Sequence, residues 1–133
     1  MGDTITAVIF DFEGTLVDFQ WRLAAAEAEL RAAFAAQGFG TAGNYAELWN
    51  AAAEIAVPQG RLAELRGALG PVYDRWDADA LSRWAPRPGA AELLQALAGR
   101  GIKTGMVSNI GRTALAAARG RFGLDRWLKP VVS

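Results

Sequence analysis

Ile5-Thr6-Ala7-Val8-Ile9-Phe10-Asp11-Phe12-Glu13-Gly14-Thr15 is the stretch whose reading decides the fold. Residues 5–10 are apolar and rich in β-branched side chains, and the run stops abruptly at Asp11. A short continuous apolar run of this kind predicts a buried strand of a parallel sheet covered on both faces. Residues 11–15 then read as a turn, with Gly14 supplying a conformation that other residues avoid. In open α/β sheets ligands bind beyond the carboxyl ends of the strands. Two carboxylates at i and i+2, Asp11 and Glu13, therefore stand where such a fold does its chemistry.

The same pattern returns near the other end of the chain. Residues 102–108 predict a second buried strand, and residues 131–133 begin a third. The second strand ends at Ser108-Asn109, so a hydroxyl and local backbone N–H groups face the same edge as the acidic pair. A helix is expected over 90–98, with Leu93, Leu94 and Leu97 inward and Gly99 and Gly101 ending it. Another is expected over 112–121, capped by Gly123. Gly120 inside that helix has no evident reason. Strands alternating with helices predict an α/β protein with a Rossmann-like parallel sheet.

Between these parts the sequence offers only helices. Residues 18–37 carry Leu23, Leu30 and Phe34 on one stripe, with Asp18 placed to cap the start and Gly38 to end it. Asn44-Tyr45-Ala46-Glu47 has the pattern of a capping box, followed by Leu48, Ala52 and Ile55 and closed by Pro58. Residues 61–69 predict a helix broken by Gly70-Pro71. Pro71 then opens another over 71–84 bearing Tyr73, Trp76, Ala80, Leu81 and Trp84. With no strand to pair, this block reads as an insertion. The expected organisation is an incomplete α/β core of residues 1–16 and 85–133 and an all-helical insert of residues 17–84.

Composition narrows the chemistry. The chain has 133 residues with no His and no Cys. That removes Ser-His-Asp triads, thiol nucleophiles, disulfides and the usual zinc sites. Lys and Arg total 14 and Asp and Glu total 14, so no net basic field points to nucleic acid or an anionic membrane. No apolar run is long enough to span a bilayer, and the N-terminus lacks a signal-peptide pattern. A cytoplasmic location is the expectation.

Val8-Ile9-Phe10-Asp11-Phe12-Glu13-Gly14-Thr15-Leu16-Val17-Asp18 resembles the first motif of the haloacid dehalogenase-like (HAD) hydrolase superfamily, whose phosphatases read hhhhDxDGTLxD. Pro88-Gly89, the Leu-rich helix after it and residues 101–109 look like the second motif and its approach. The helical insert resembles that family's cap. This resemblance implies that Asp11 is a nucleophile forming an aspartyl-phosphate. It implies Mg²⁺ held by an Asp11 oxygen and the backbone carbonyl of Glu13. It implies Ser108 as a hydrogen-bond partner of a phosphoryl oxygen, assisted by backbone amides around Gly14 and at Asn109. The substrate implied is a small phosphorylated metabolite.

The sequence departs from the family in two places. Phosphatases of the family usually carry Asp at position 13, as the acid that protonates the leaving alcohol; Glu has the same chemistry on a longer arm. The 2-haloacid dehalogenases carry a bulky aromatic residue there, so Glu13 argues for a phosphatase. The family's third-motif Lys and fourth-motif acids have no match. Lys129-Pro130 resembles the Lys motif superficially but precedes the expected third strand. A chain stopping in mid-domain is the expectation, with a truncated or non-catalytic phosphate- or partner-binding protein as the alternative function. An open sheet edge would invite a second copy of the chain to cover it as a homodimer.

Plainer roles compete for the same residues. Outside its motif, Asp11 would be a turn residue and Glu13 a solvated one. Ser108 would be a strand-end cap. Asp18 reads as a helix cap, Lys129 as surface charge, and the five tryptophans mainly as packing. Phe19, Gln20 and Trp21 open the insert beside the expected nucleophile. Arg22 there reads as part of a solvated helix face.

Overall fold

The computed structural model describes residues 3–133. The first two positions of the expected core segment 1–16 lie outside the described residues. The elements run β1 (Ala7–Phe10), α1 (Leu23–Ala36), α2 (Tyr45–Ala56), α3 (Leu62–Leu81), α4 (Ala90–Gly99), β2 (Lys103–Val107), α5 (Arg112–Phe122) and β3 (Leu128–Val132). Among the described residues the sheet has three strands in the order β1-β2-β3, all parallel. The protein is α/β, with the helical block between its first two strands as expected.

By contacts the chain forms two compact units. One joins the segment ending at Gln20 to Leu81–Ser133; the other is Trp21–Ala80. Residues 17–20 and 81–84, adjoining the helical block in sequence, belong to the unit that holds the sheet.

In the sheet unit, Phe10 pairs with Met106, Thr104 with Leu128 and Met106 with Val131. Thr104, Met106, Ser108 and Leu128 are buried. The expectation of a sheet covered on both faces does not hold. Ile9 is 71% exposed, and Val107 and Val132 are half exposed. Exposed and partly buried positions alternate along β1, whereas in β2 the three central positions are all buried between two exposed ends.

The third strand begins at Leu128, earlier than the sequence suggested, so Lys129 lies inside it rather than before it. Lys129 and Pro130 occupy a bulge where three positions of β3 span two of β2. A side chain at Gly105 would come within 3.2 Å of the Pro130 carbonyl oxygen, so the smallest residue stands where the bulge presses closest. The second half of this unit follows its sequence signals. Gly123 caps α5 in the left-handed region, with φ 67°. Ala90 and Leu94 of α4 are buried, but Leu93 is half exposed: it sits about 100° from Leu94 around the helix, off the buried stripe.

The helical unit carries its own aromatic core. Trp21 lies 5.0 Å from Tyr45 between ring centroids, and Trp49 and Phe34 meet Tyr73 edge-on. The Tyr73 hydroxyl donates to the Tyr45 carbonyl at 2.7 Å, and burial pushes its pKa well above the ordinary phenol value. The capping box is present: Asn44 Oδ1 accepts from the amides of Ala46 and Glu47, and Glu47 Oε2 accepts from the Asn44 amide. Behind it Leu48, Ala52 and Ala56 are buried, whereas Ile55 points outward. The expected break at Gly70-Pro71 is absent. α3 runs unbroken through Pro71, with Leu65 and Leu69 buried before it and Asp77 and Ala80 after it. An interior proline costs about 3 kcal/mol, so packing on both sides of Pro71 overrides the local signal.

α1 starts at Leu23, later than the sequence suggested, and Arg22 at its N-cap gives no side-chain hydrogen bond. Asp18 is four residues too early to cap it and is engaged elsewhere, as described next.

Candidate active site

The site is built on the turn that follows β1. The Phe12 carbonyl accepts from the amides of Thr15, Leu16 and Val17, at 3.1, 2.9 and 3.3 Å. Gly14 turns the chain with φ 79°. The turn buries Phe12 completely and leaves Asp11 exposed. Asp11 Oδ1 accepts from the Phe12 amide at 2.6 Å, which fixes the carboxylate at the strand end.

β2 supplies the neighbouring edge. Because Phe10 pairs with Met106, Asp11 lies one residue past that pair and Ser108 two residues past it, on adjacent parallel strands. Ser108 is buried, and its Oγ accepts from the Ile110 amide at 3.1 Å. The strand-end turn read for Ser108 is therefore present. A hydroxyl that accepts keeps a proton it can donate. Asn109 is exposed beside it. The register thus brings Asp11, Glu13, Gly14, Ser108 and Asn109 to the carboxyl edge of β1 and β2. Lys129, inside β3, is not at that edge.

Glu13 is held by two donors. Its Oε2 accepts from the Trp84 indole Nε1 at 2.7 Å and from the Gln20 amide at 3.0 Å. Trp84 is buried and its ring stands edge-on to Phe12, with 5.1 Å between centroids. The surrounding segments are stitched to each other. Asp18 N donates to the Ala85 carbonyl, the Ala85 amide donates to Asp18 Oδ1 at 2.8 Å, and the Arg87 amide donates to the Leu16 carbonyl. Val17 bridges Pro86 in antiparallel fashion. Arg83 donates to the Gln20 carbonyl at 2.7 Å and to its side-chain oxygen at 3.3 Å. The Ala85 amide, then the Gln20 side chain, hold the Asp18 carboxyl below its usual pKa. Asp18 is a brace between two segments of the sheet unit and not the cap of α1.

Trp84, Arg83 and the Gln20 amide were not legible as parts of this site. Trp84 read as one apolar position of a helix, and a backbone amide leaves no mark in a sequence. The tryptophans do pack, but three also aim their N–H at a carboxylate. Besides Trp84, Trp21 donates to the buried Asp77 at 2.9 Å and Trp76 to Glu29 at 2.7 Å.

Mg²⁺ keeps several of its waters and is held by one or two carboxylates together with substrate oxygens. The exposed Asp11 carboxylate and the Glu13 main-chain carbonyl are hard oxygen donors of that kind, so the residues present fit an open site of two protein ligands. Among the described residues no group of three acidic side chains gathers to hold a metal. A cavity of about 290 Å³ lies elsewhere, between α5 and the end of β3, lined by Arg112, Leu115, Arg119, Val131, Val132 and Ser133. It includes none of the edge residues named above.

A parallel α/β sheet, a helical block after its first strand and an acid fixed at that strand's carboxyl end define the class as a Rossmann-type α/β protein. The family profile of haloacid dehalogenase-like hydrolases matches residues 5–133, and the chain belongs to that family. Its fold is similar to a HAD-superfamily hydrolase from Ehrlichia chaffeensis, at 19% identity and TM-score 0.49, over 98% of this chain and 63% of that one. It is also similar to a protein from Lactobacillus delbrueckii subsp. bulgaricus provisionally named a phosphoglycolate phosphatase. There the identity is 19% and the TM-score 0.51, over 96% of this chain and 64% of that one. The chain thus spans less than two thirds of the length of these two structures. Comparison with curated proteins gave no match. Among the described residues no helix is long and apolar enough to cross a membrane.

Proposed function

We propose that the chain carries the nucleophile edge of a phosphomonoester phosphatase acting on a small phosphorylated metabolite. The observation that supports this most is the Asp11 carboxylate, held exposed at the end of β1 beside Ser108 on the adjacent strand. In this reading an Asp11 oxygen attacks phosphorus, the bond from phosphorus to the ester oxygen breaks, and an aspartyl-phosphate forms. Glu13 gives its proton to the departing alkoxide and afterwards takes one from the water that hydrolyses the acyl phosphate. The Ser108 hydroxyl and the amides near Gly14 and at Asn109 orient the phosphoryl oxygens. When bound, Mg²⁺ at Asp11 and the Glu13 carbonyl would offset the negative charge shared by nucleophile and phosphate. The helical unit corresponds in this reading to the family's cap.

The test is turnover of a panel of phosphorylated metabolites, 2-phosphoglycolate included, with Mg²⁺, for the wild-type chain and Asp11→Asn. Mg²⁺-dependent phosphate release lost by at least about a thousandfold in Asp11→Asn is expected. Equal turnover in the two proteins would overturn the nucleophile assignment. A second reading, phosphate binding without turnover, is favoured by one feature: no third acid joins Asp11 and Glu13 among the described residues. It predicts saturable phosphate binding and no release from any ester.

A further inference from the structure

Glu13 has one more methylene than the aspartate usual at this place in the family, and that extra reach must be constrained if its carboxylate is to act at a fixed point. The structure contains a constraint. Trp84, 71 residues away in sequence, donates its indole N–H to Glu13 Oε2 at 2.7 Å. The Gln20 amide donates to the same oxygen at 3.0 Å. Two donors converging on one carboxylate oxygen fix a direction as well as a distance. The indole is itself immobilised: Trp84 is 2% exposed and packs edge-on against Phe12, the residue between Asp11 and Glu13. The donor is therefore anchored to the same turn that carries both acids.

We propose that Trp84 is a positioning residue for Glu13, its indole N–H compensating for the longer side chain by locking the carboxylate in one orientation at the turn after β1. The proposal rests on the phosphatase reading for its effect on catalysis, but the pairing is testable apart from it. Trp84→Phe keeps an aromatic ring against Phe12 and removes the donor. Thermal unfolding of the wild type, Trp84→Phe, Glu13→Ala and the double variant forms a cycle. The expected result is a Tm loss in Trp84→Phe that largely disappears in the Glu13→Ala background. Additive losses would mean that Trp84 only packs and would overturn the proposal. On the best substrate of the panel, Trp84→Phe should lower kcat about tenfold with KM changed less than about twofold, the signature of a misaimed group rather than weakened binding. An unchanged kcat in a coupled pair would also overturn it. No turnover in the wild type would remove the phosphatase reading, while the unfolding cycle would still decide whether the pair exists.

Discussion

The Ala85 amide donates to Asp18 Oδ1 at 2.8 Å across 67 positions of sequence. That bond and its reciprocal, Asp18 N to the Ala85 carbonyl, join the segment leaving the turn after β1 to the segment returning toward α4. Donation from Ala85, and then from Gln20, holds the Asp18 carboxyl below its ordinary value of 3.8. A carboxyl with a lowered folded pKa contributes stability above its unfolded pKa, and that contribution is lost as pH falls through the folded value. Asp18→Ala is expected to lower Tm at pH 7 by about 3 °C, as the loss of about 1 kcal/mol would in a chain of this size. The gap between the two proteins should narrow as pH falls from 5 to 2, followed by circular dichroism. A gap that stays constant to pH 2 would show that the charge of Asp18 is not what matters.

Gly14 makes a sharper prediction, because space and conformation point in different directions there. A methyl group at Gly14 would meet nothing closer than Phe19 Cδ2, at 3.6 Å, so the position has room. Its φ of 79° nevertheless disfavours any residue with a β-carbon. The penalty should therefore follow backbone preference and not size. Gly14→Asn is expected to lose about 1 kcal/mol or less, since Asn tolerates the left-handed region, and Gly14→Val distinctly more. Urea unfolding of both variants checks the order; equal losses would point to a steric cause instead.

Much of this architecture could be read from the chain because its signals are local. The apolar run ending at Asp11, the capping box at Asn44, the cap at Gly123 and the strand ending at Val107, just before Ser108, each depend on a few adjacent residues. What was not legible depends on partners distant in sequence. Pro71 reads as a break by itself and becomes an interior helical residue through burial of Leu65, Leu69 and Ala80. Asp18 has the composition of a cap and instead finds Ala85. The β3 boundary moved because a bulge admits Lys129 and Pro130 into the strand, which no periodicity reveals. At the site, Asp11, Gly14 and Ser108 carried their motif, whereas the grip on Glu13 comes from Trp84 and a main-chain amide.

Ser108 separates two roles carried by one hydroxyl. As acceptor from the Ile110 amide at 3.1 Å it shapes the turn after β2, and in the phosphatase reading it donates to a phosphoryl oxygen. Ser108→Ala removes both roles and is expected to destabilise by about 1 kcal/mol. Turnover should fall by about 10²-fold, the usual result of deleting one oxyanion donor. Ser108→Thr keeps the hydroxyl and should retain most activity if the buried site accepts the added methyl group. Stability lost in Ser108→Ala with full turnover retained would reduce Ser108 to a turn residue.

Gly120, unexplained by the sequence, offers a way to strengthen the protein. It lies inside α5 at ordinary helical dihedrals, and an added β-carbon would meet no atom within 4 Å. Glycine in such a place pays an entropic penalty on folding that alanine avoids, worth about 0.5–1 kcal/mol. The Gly120 carbonyl accepts from the Gly123 amide at 3.3 Å, a bond that an alanine side chain leaves intact. Gly120→Ala should therefore raise Tm by about 2–4 °C with turnover unchanged, since α5 is near the edge residues only at its other end. Scanning calorimetry beside the activity assay checks both parts. A lower Tm would mean that α5 needs glycine here for a reason other than its own geometry.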